Sequence, residues 1–367
     1  MVLSFDILAR EGRARTGILH SRRGNVKTPA LTVNFTPALL NSGLTSEMVR
    51  PLGVEMVLVN ILHCMVGGVE DVHEFLDWDG PVMSDSGGFQ MVSLADNIEI
   101  LPDGIKFDWD GKQFDMTPAK VVLNQRMKGV DLIMPLDRVV HTLHKNWFKF
   151  FESVSVTNRW FRESMRFADD RRYFIVQGGL NFIARYLSLR EARLQLAQSN
   201  AVGIAIGGLA GGEARPAMYR MVKFCTDRLP QDKPRHLFGV GTPIDLLECI
   251  ERGIDTFDCV AYTREARHGR IWVSSGYLKL TNSRYKDDQR ILEAGCDCPT
   301  CVQGATRAEL RAGLKSEDSA VRRTAKIQLM LHNIRFVQRL MKNARSAIHR
   351  GGFRQFKKDF LCTFKPS

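Results

Sequence analysis

Thr256–Arg267 reads TFDCVAYTREAR. An apolar approach, Gly253-Ile254-Asp255-Thr256-Phe257, runs into the carboxylate of Asp258, and two arginines, Arg264 and Arg267, follow after a short turn. A short buried strand that ends on an acid, with cations just downstream, suits an ionised carboxylate in a confined place: a nucleophile, a base or a metal ligand. Taken alone, a strand-end Asp capping the next turn is the simpler reading. The rest of the chain decides between them.

Upstream, the same pattern recurs. Apolar or β-branched runs end on a polar or glycine position at Ala30–Phe35, Met56–Asn60, Pro81–Asp85, Asp131–Asp137, Tyr173–Gln177, Gly203–Gly208 and His236–Gly241, with Thr256–Val260 the eighth. Helix-like stretches lie between them at Pro118–Met127, Asn146–Phe167, Leu187–Gln198, Ala214–Asp227 and Pro243–Arg252. Buried parallel strands read as continuous apolar runs, and strand–helix alternation implies right-handed crossovers. Eight such units over roughly 250 residues predict an α/β fold of the (β/α)8 TIM-barrel type. A doubly wound sheet is the alternative, but no GxGxxG follows the first strand. Residues 1–30, with turns near Gly12 and Gly24, predict a small N-terminal antiparallel sheet closing one end of the domain. Residues 97–115 carry two Asp-Gly turns and predict an inserted hairpin. The expected division is a barrel over 1–275 and a metal-binding subdomain with basic C-terminal helices over 276–367.

In this fold the active site sits at the C-terminal ends of the strands. Asn60, Asp85, Asp137, Gln177, Gly208 and Asp258 terminate the runs, so three carboxylates and two amides are expected to converge on one mouth. MSDSGGFQ (Met83–Gln90) adds a tight turn with free backbone N–H groups and the apolar face of Phe89, and Asp85 there suits a general acid/base. IGGLAGGE (Ile206–Glu213) offers backbone that approaches a flat ligand closely. No Lys-Ser/Thr follows, which excludes a phosphate-binding P-loop.

Cys296, Cys298 and Cys301 form a C-x-C-x2-C knot. Three thiolates in six residues need a fourth ligand, and His332, on a predicted helix, completes a closed structural Cys3His zinc site. The other five cysteines are scattered without disulfide-like spacing.

The chain has 367 residues, 44% hydrophobic and 25% charged, an ordinary globular composition. No apolar run reaches membrane-span length and the N-terminus lacks a signal-peptide core, so a soluble, cytoplasmic protein without membrane partners is expected. The net charge is +12, and +11 of it lies from Val302 onward, with 15 Lys+Arg against 4 Asp+Glu. A nearly neutral body with a basic end suits a polyanionic partner such as nucleic acid, although solvated helix faces would look the same.

In order along the chain, DSGGFQ, the Gln177-Gly178 of IVQGG, GGLAGGE, FGVG, FDCV…TR..R and CDC..C…H look like the tRNA-guanine transglycosylase family. The resemblance runs from about Phe5 to Phe360. It implies exchange of guanine at the anticodon wobble position of GUN tRNAs for a 7-deazaguanine. By position it makes Asp258 the nucleophile on ribose C1′ and Asp85 the general acid/base. Asp137 and Gln177, with the backbone of Gly208 and Leu209, would read the purine edge, and Phe89 and Phe238 would sandwich the base. Arg264 and Arg267 would meet tRNA phosphate or order the nucleophile loop. Relatives that insert preQ1 usually carry Asp-Glu-Cys where this chain has Asp137-Arg138-Val139, and valine where it has Gly211. Val139 and Gly211 together resemble the queuine-using type, and loss of a side chain at 211 is expected to open room for the queuine arm. Ala261-Tyr262, where Leu-Pro or Phe-Pro is usual, puts the local loop shape in question. A non-catalytic tRNA-binding subunit is the competing reading, and retention of both Asp85 and Asp258 argues against it. A homodimer is expected, with a different partner subunit left open; DNA is not an expected substrate.

Overall fold

The computed structural model describes residues 3–88, 98–109, 111–167, 171–198 and 201–365. Each expected apolar run forms strand or bridge structure. β4 (Ala30–Leu31) and β5 (Val33–Phe35) are separated only by Thr32. β6 (Val57–Val59) and β7 (Val82–Ser84) follow, and β5, β6 and β7 pair in parallel in that order. β11 (Tyr173–Val176), β12 (Gly203–Ile206), β13 (Arg235–Leu237) and β14 (Thr256–Phe257) form a second parallel sheet, which β4 completes beside β14. Single parallel bridges, Met83 to Leu132 and Ile133 to Arg172, connect the two sheets. The run at 131–137 thus contributes bridges rather than a full strand: Pro135 has no amide hydrogen to extend a ladder.

Every residue of β6, β7, β11, β12 and β13 is buried. One face packs inward as a cluster of Ala30, Leu58, Met83, Leu132, Ile175 and Ala205, and the other packs against the helices. Each fully buried Leu, Ile or Val side chain contributes about 1.5–3 kcal/mol. The N-terminal sheet of β1 (Ser4–Glu11), β2 (Ala14–Ser21) and β3 (Gly24–Thr28) is antiparallel, as expected, and its Leu19 and Val26 join that inner cluster. On β2, Arg15 reaches Asp255 through Nε (2.8 Å) and Nη2 (2.5 Å), both residues being essentially inaccessible.

Helices start where the sequence supplies caps. Thr36-Pro37, Thr117-Pro118 and Thr242-Pro243 each place a threonine hydroxyl as acceptor for an orphan N–H and a proline at the first helical position. This opens α1 (Pro118–Met127) and, further on, α5 (Pro243–Glu251). Between them lie α2 (Phe148–Ser164), α3 (Phe182–Gln198) and α4 (Arg215–Thr226). The third begins five residues before the expected Leu187, because the Asn181 side chain accepts from the N–H groups of Ile183 and Ala184. Phe182, Ile183 and Tyr186 are exposed there, which hides the helical period.

One expectation needs correction. The insert is not one hairpin but a three-stranded antiparallel meander: β8 (Ile98–Leu101), β9 (Gly104–Trp109) and β10 (Lys112–Met116). Asp103 lies in the turn between β8 and β9, and Gly111 in the turn between β9 and β10. The polar stretch after residue 275 contains β16 (Gly276–Lys279), which pairs with β15 (Arg270–Val273). Beyond it, α7 (Arg307–Lys315), α8 (Ser319–His349) and α9 (Phe353–Thr363) form the basic helical end. Among the described residues no helix is long and apolar enough to cross a membrane.

Candidate active site

The ends of the parallel strands bring the expected polar residues together. Asp258 follows β14 and is partly buried. Its Oδ2 accepts from Asn34 Nδ2 at 3.0 Å, and its Oδ1 accepts from the Gly239 N–H at 3.2 Å and faces His236 Nε2 at 3.2 Å. Neighbouring Cys259 is not a competing nucleophile: burial, above all, pushes its thiol up to about 12.

Asp85 follows β7. Asn60 Nδ2 donates to its Oδ2 at 2.6 Å, and the N–H groups of Ile61 (3.3 Å) and Gly87 (3.2 Å) donate to its Oδ1. Burial pushes this carboxyl up to about 7, outweighing those three donors, and the negative charge of Asp258 adds to the rise. The two acids are therefore electrostatic neighbours across the strand ends. Asp85 is available as a proton donor and acceptor near neutrality.

Asp137 is buried between Ser86 Oγ and Gln177 Nε2, each donating at 2.5 Å. Burial raises its carboxyl above the usual carboxylate range. Gln177 lies flat on the Gly207-Gly208 backbone. At Gly208, where φ is +66°, a Cβ would fall 2.4 Å from Gln177 Oε1, so both the backbone twist and the close approach require glycine. Leu209 is buried beside it, and Val139 is half-buried two residues after Asp137. Phe238 is partly buried, its ring edge-on to His236 at 4.6 Å. Phe89, the other expected stacking residue, lies outside the described residues.

Gly211 gives a correction. Its missing side chain leaves no open space, because a Cβ there would meet Thr142 Oγ1 at 2.8 Å. Thr142 is buried and donates to the Gly208 carbonyl at 3.2 Å, so it fills the room that Gly211 was expected to open. The Glu213 carboxylate accepts from the N–H groups of Ala210 and Gly211 and fixes the loop between them.

The loop after Asp258 forms α6 (Ala261–Arg267). Tyr262 replaces a loop residue with an anchor: its hydroxyl donates to the Thr32 carbonyl at 2.6 Å, and its own carbonyl accepts from Asn333 Nδ2 at 2.9 Å. Arg267 donates to the Ala38 carbonyl, and burial lowers its guanidinium from the usual range. Arg264 is exposed in a surface hollow with His268, Arg270, Tyr277 and Lys279.

Cys296, Cys298, Cys301 and His332 are all buried, and their ligand atoms lie within 4.8 Å of one another. His332 Nδ1 is 3.7, 3.5 and 3.4 Å from the three sulfurs. A tetrahedral zinc with ordinary Zn–S and Zn–N bonds sets these separations at about 3.5 Å. His332 Nε2–H donates to the Trp272 carbonyl at 2.9 Å, which turns the Nδ1 lone pair towards the sulfurs. The donor set thus fits a closed Zn2+ site with no position for substrate. The next residue, Asn333, bonds the backbones of Tyr262, Arg270 and Trp272, so the metal knot and the loop after Asp258 share one helix, α8.

Asn34, His236 and Thr142 line the candidate site, and the sequence alone does not single them out. Thr32-x-Asn34 and Thr256-x-Asp258 share the two-residue spacing that puts side chains on one strand face, and that spacing was the available signal for Asn34. His236 precedes Phe238 by the same interval.

Residues 10–366 match the family described as queuine tRNA-ribosyltransferase. A queuine tRNA-ribosyltransferase from Francisella tularensis subsp. mediasiatica (strain FSC147) is 35% identical over 378 residues, covering 99% of this chain and all of the relative. One from Ruegeria pomeroyi (strain ATCC 700808 / DSM 15171 / DSS-3) is 35% identical over 371 residues, covering 97% of this chain and 96% of the relative. On this match over nearly the whole chain, the chain belongs to the queuine tRNA-ribosyltransferase family of tRNA base-exchange enzymes.

Proposed function

We propose that this protein replaces guanine at the wobble position of GUN-anticodon tRNAs with a 7-deazaguanine by double displacement. Asp258 attacks ribose C1′ as the C1′–N9 bond breaks, and Asp85 gives its proton to the departing guanine. The covalent Asp258–ribosyl intermediate is then opened by the incoming base, whose N9 proton passes to Asp85 as the new C1′–N bond forms and Asp258 leaves as a carboxylate. Two displacements retain the anomeric configuration. The observation that carries this reading is the pairing of Asp258, held by three hydrogen-bond partners, with a half-buried Asp85 held by Asn60, Ile61 and Gly87, whose carboxyl is pushed up to about 7 by burial and the Asp258 charge. Asp137 and Gln177 read the purine edge with the Gly208-Leu209 backbone, and Phe238 packs on one face of the base. Arg264 meets tRNA phosphate, and Arg267 orders the nucleophile loop. Zinc, held by Cys296, Cys298, Cys301 and His332, supplies structure rather than chemistry.

Queuine is the proposed incoming base, on the residue types at Val139 and Gly211; its arm requires Thr142 to turn aside. The parallel pairings from β5 through β7, the 132–133 bridges, β11 to β14 and back to β4 support a closed (β/α)8 barrel over residues 1–275. The remainder, 276–367, is the zinc-binding part. A cytoplasmic homodimer is the proposed working form.

The test offers a GUN tRNA with guanine, preQ1 and queuine in turn, and assays a denaturation-resistant protein–tRNA adduct. Asp258→Asn is expected to bind tRNA but form no adduct. Exchange at the unmodified rate by this variant would refute the assignment, and preQ1 use without queuine use would refute the base preference.

A further inference from the structure

The partner that faces the Asp258 carboxylate from β13 is His236, a fully buried ring that pairs directly across from Thr256 in the β13–β14 register. Its Nδ1 lies 3.0 Å from Thr256 Oγ1 and its Nε2 lies 3.2 Å from Asp258 Oδ1. A carboxylate only accepts, so the hydrogen sits on Nε2, and in the neutral ring the Thr256 hydroxyl donates to Nδ1. The other side of Asp258 repeats the device. Thr32 Oγ1 donates to Asn34 Oδ1 at 2.7 Å, which turns the Asn34 amide nitrogen to Asp258 Oδ2. Each side-chain donor is held by a threonine: Thr256 on β14, the strand that leads into the acid, and Thr32 between β4 and β5. The carboxylate plane is thereby fixed from two sides. Oδ1 takes two partners and Oδ2 one, which leaves Oδ2 the freer oxygen for bond formation.

We propose that His236 is a positioning residue for the reaction, orienting the Asp258 carboxylate through Nε2–H while Thr256 fixes its tautomer. This rests on the reading of Asp258 as the nucleophile. The edge-on contact between His236 and Phe238 also couples the aim of the nucleophile to the wall against which the base packs.

The test compares His236→Gln, His236→Asn and His236→Phe in the full-length zinc-loaded protein. A glutamine amide reaches the Nε2 position; an asparagine amide reaches only the Nδ1 position and keeps the Thr256 contact. Single-turnover guanine exchange at saturating tRNA is expected to fall by on the order of 10–100-fold in His236→Asn and His236→Phe, the scale of a slightly misaimed reactant. KM for tRNA should stay within about twofold, and His236→Gln should recover most of the rate. His236→Asn carries the comparison if the phenylalanine variant does not fold. Equal rates for the Asn and Gln variants, or a loss confined to KM, would overturn the proposal. Asp258→Asn, run beside them, separates the two readings. If it exchanges guanine normally, the nucleophile assignment fails. If it is inactive while every His236 variant matches the unmodified protein, only the positioning role fails.

Discussion

Asn60→Ser isolates the hydrogen bond that holds the Asp85 carboxyl down. The Asn60 amide donates to Asp85 at 2.6 Å, while its own carbonyl oxygen caps the short helix Ile61–Val66 by accepting from the His63 N–H. Serine keeps a capping oxygen but has no amide to reach Asp85. Burial and the Asp258 charge then act on Asp85 with one opposing donor fewer. A hydrogen bond to a charged group contributes about 1.5–3 kcal/mol, and one pH unit corresponds to about 1.4 kcal/mol, so the midpoint should rise from about 7 by about 1–2 pH units. In the proposed exchange guanine departure needs the protonated acid, so the rate of guanine release in a single turnover should fall as pH rises through about 7, and in Asn60→Ser at correspondingly higher pH. The stability linkage has the same sign. A carboxyl raised in the folded state favours folding fully below the ordinary carboxylate range and loses that contribution as pH rises through the folded value. The assay is rapid-quench release of labelled guanine from a GUN tRNA across the neutral range. A midpoint that stays in place or moves down would refute the role of Asn60, and with it the balance of burial against hydrogen bonding described for Asp85.

Three further outcomes follow from other contacts. Asp255→Ala leaves the inaccessible Arg15 charge with only the Gln231 and Lys233 carbonyls as partners and should lower unfolding free energy by about 3–5 kcal/mol, read by urea denaturation; a loss under about 1 kcal/mol would show that the pair is dispensable. Stripping zinc with a chelator should remove on the order of 10 kcal/mol of local stability and raise hydrogen exchange along α8, α6 and β15, because His332 and Asn333 join all three; exchange unchanged in α6 would break that link. Thr142→Ala should favour queuine over preQ1 by several-fold in competition, since the threonine fills the room beside Gly211, and Gly211→Val should lower unfolding free energy by about 1–3 kcal/mol through its clash with Thr142, a loss that Thr142→Ala partly restores; no change in the queuine-to-preQ1 ratio would remove Thr142 from base selection.

Much of this site was readable before any coordinates, for a physical reason. Parallel strands buried on both faces have to be continuous apolar runs, so the residue that ends each run marks the strand's C-terminal end. Asp85, Gln177 and Asp258 were located that way, and the metal knot followed from thiolate spacing. The less visible features depend on neighbours distant in the chain. Asn34 and Asp258 are separated by 224 positions, and the shared Thr-x-Asn and Thr-x-Asp spacing places each on a strand face without stating that the two strand ends meet. His236 sits within an apolar run, where a histidine reads as core. The room at Gly211 could be judged only with Thr142 in place, 69 positions upstream, because a glycine removes a side chain without stating what takes its volume. The meander at residues 98–116 was shortened to one hairpin because two adjacent turns imply three strands only when all three segments pair.

The mutual influence of Asp85 and Asp258 bears on the whole proposed exchange. Before reaction Asp258 is the anion, and its charge helps keep Asp85 protonated. When Asp258 becomes a neutral ester, Asp85 has just given its proton to guanine and carries the charge. That charge forms as the repulsion from Asp258 disappears, so the step does not place two anions in one buried site. The incoming base reverses the assignment: its proton neutralises Asp85 while Asp258 recovers its charge as the leaving carboxylate. The acid pair thus holds a single negative charge at each resting stage, and the hydrogen bonds from Asn60, Asn34 and Gly239 are in place for whichever partner bears it. In Asp258→Asn the charge that raises Asp85 is absent throughout, so the Asp85 midpoint should fall in that inactive protein. NMR titration of a labelled Asp85 carboxyl carbon reads that shift directly, and a midpoint equal to or above the unmodified value would show that the two acids do not share one charge.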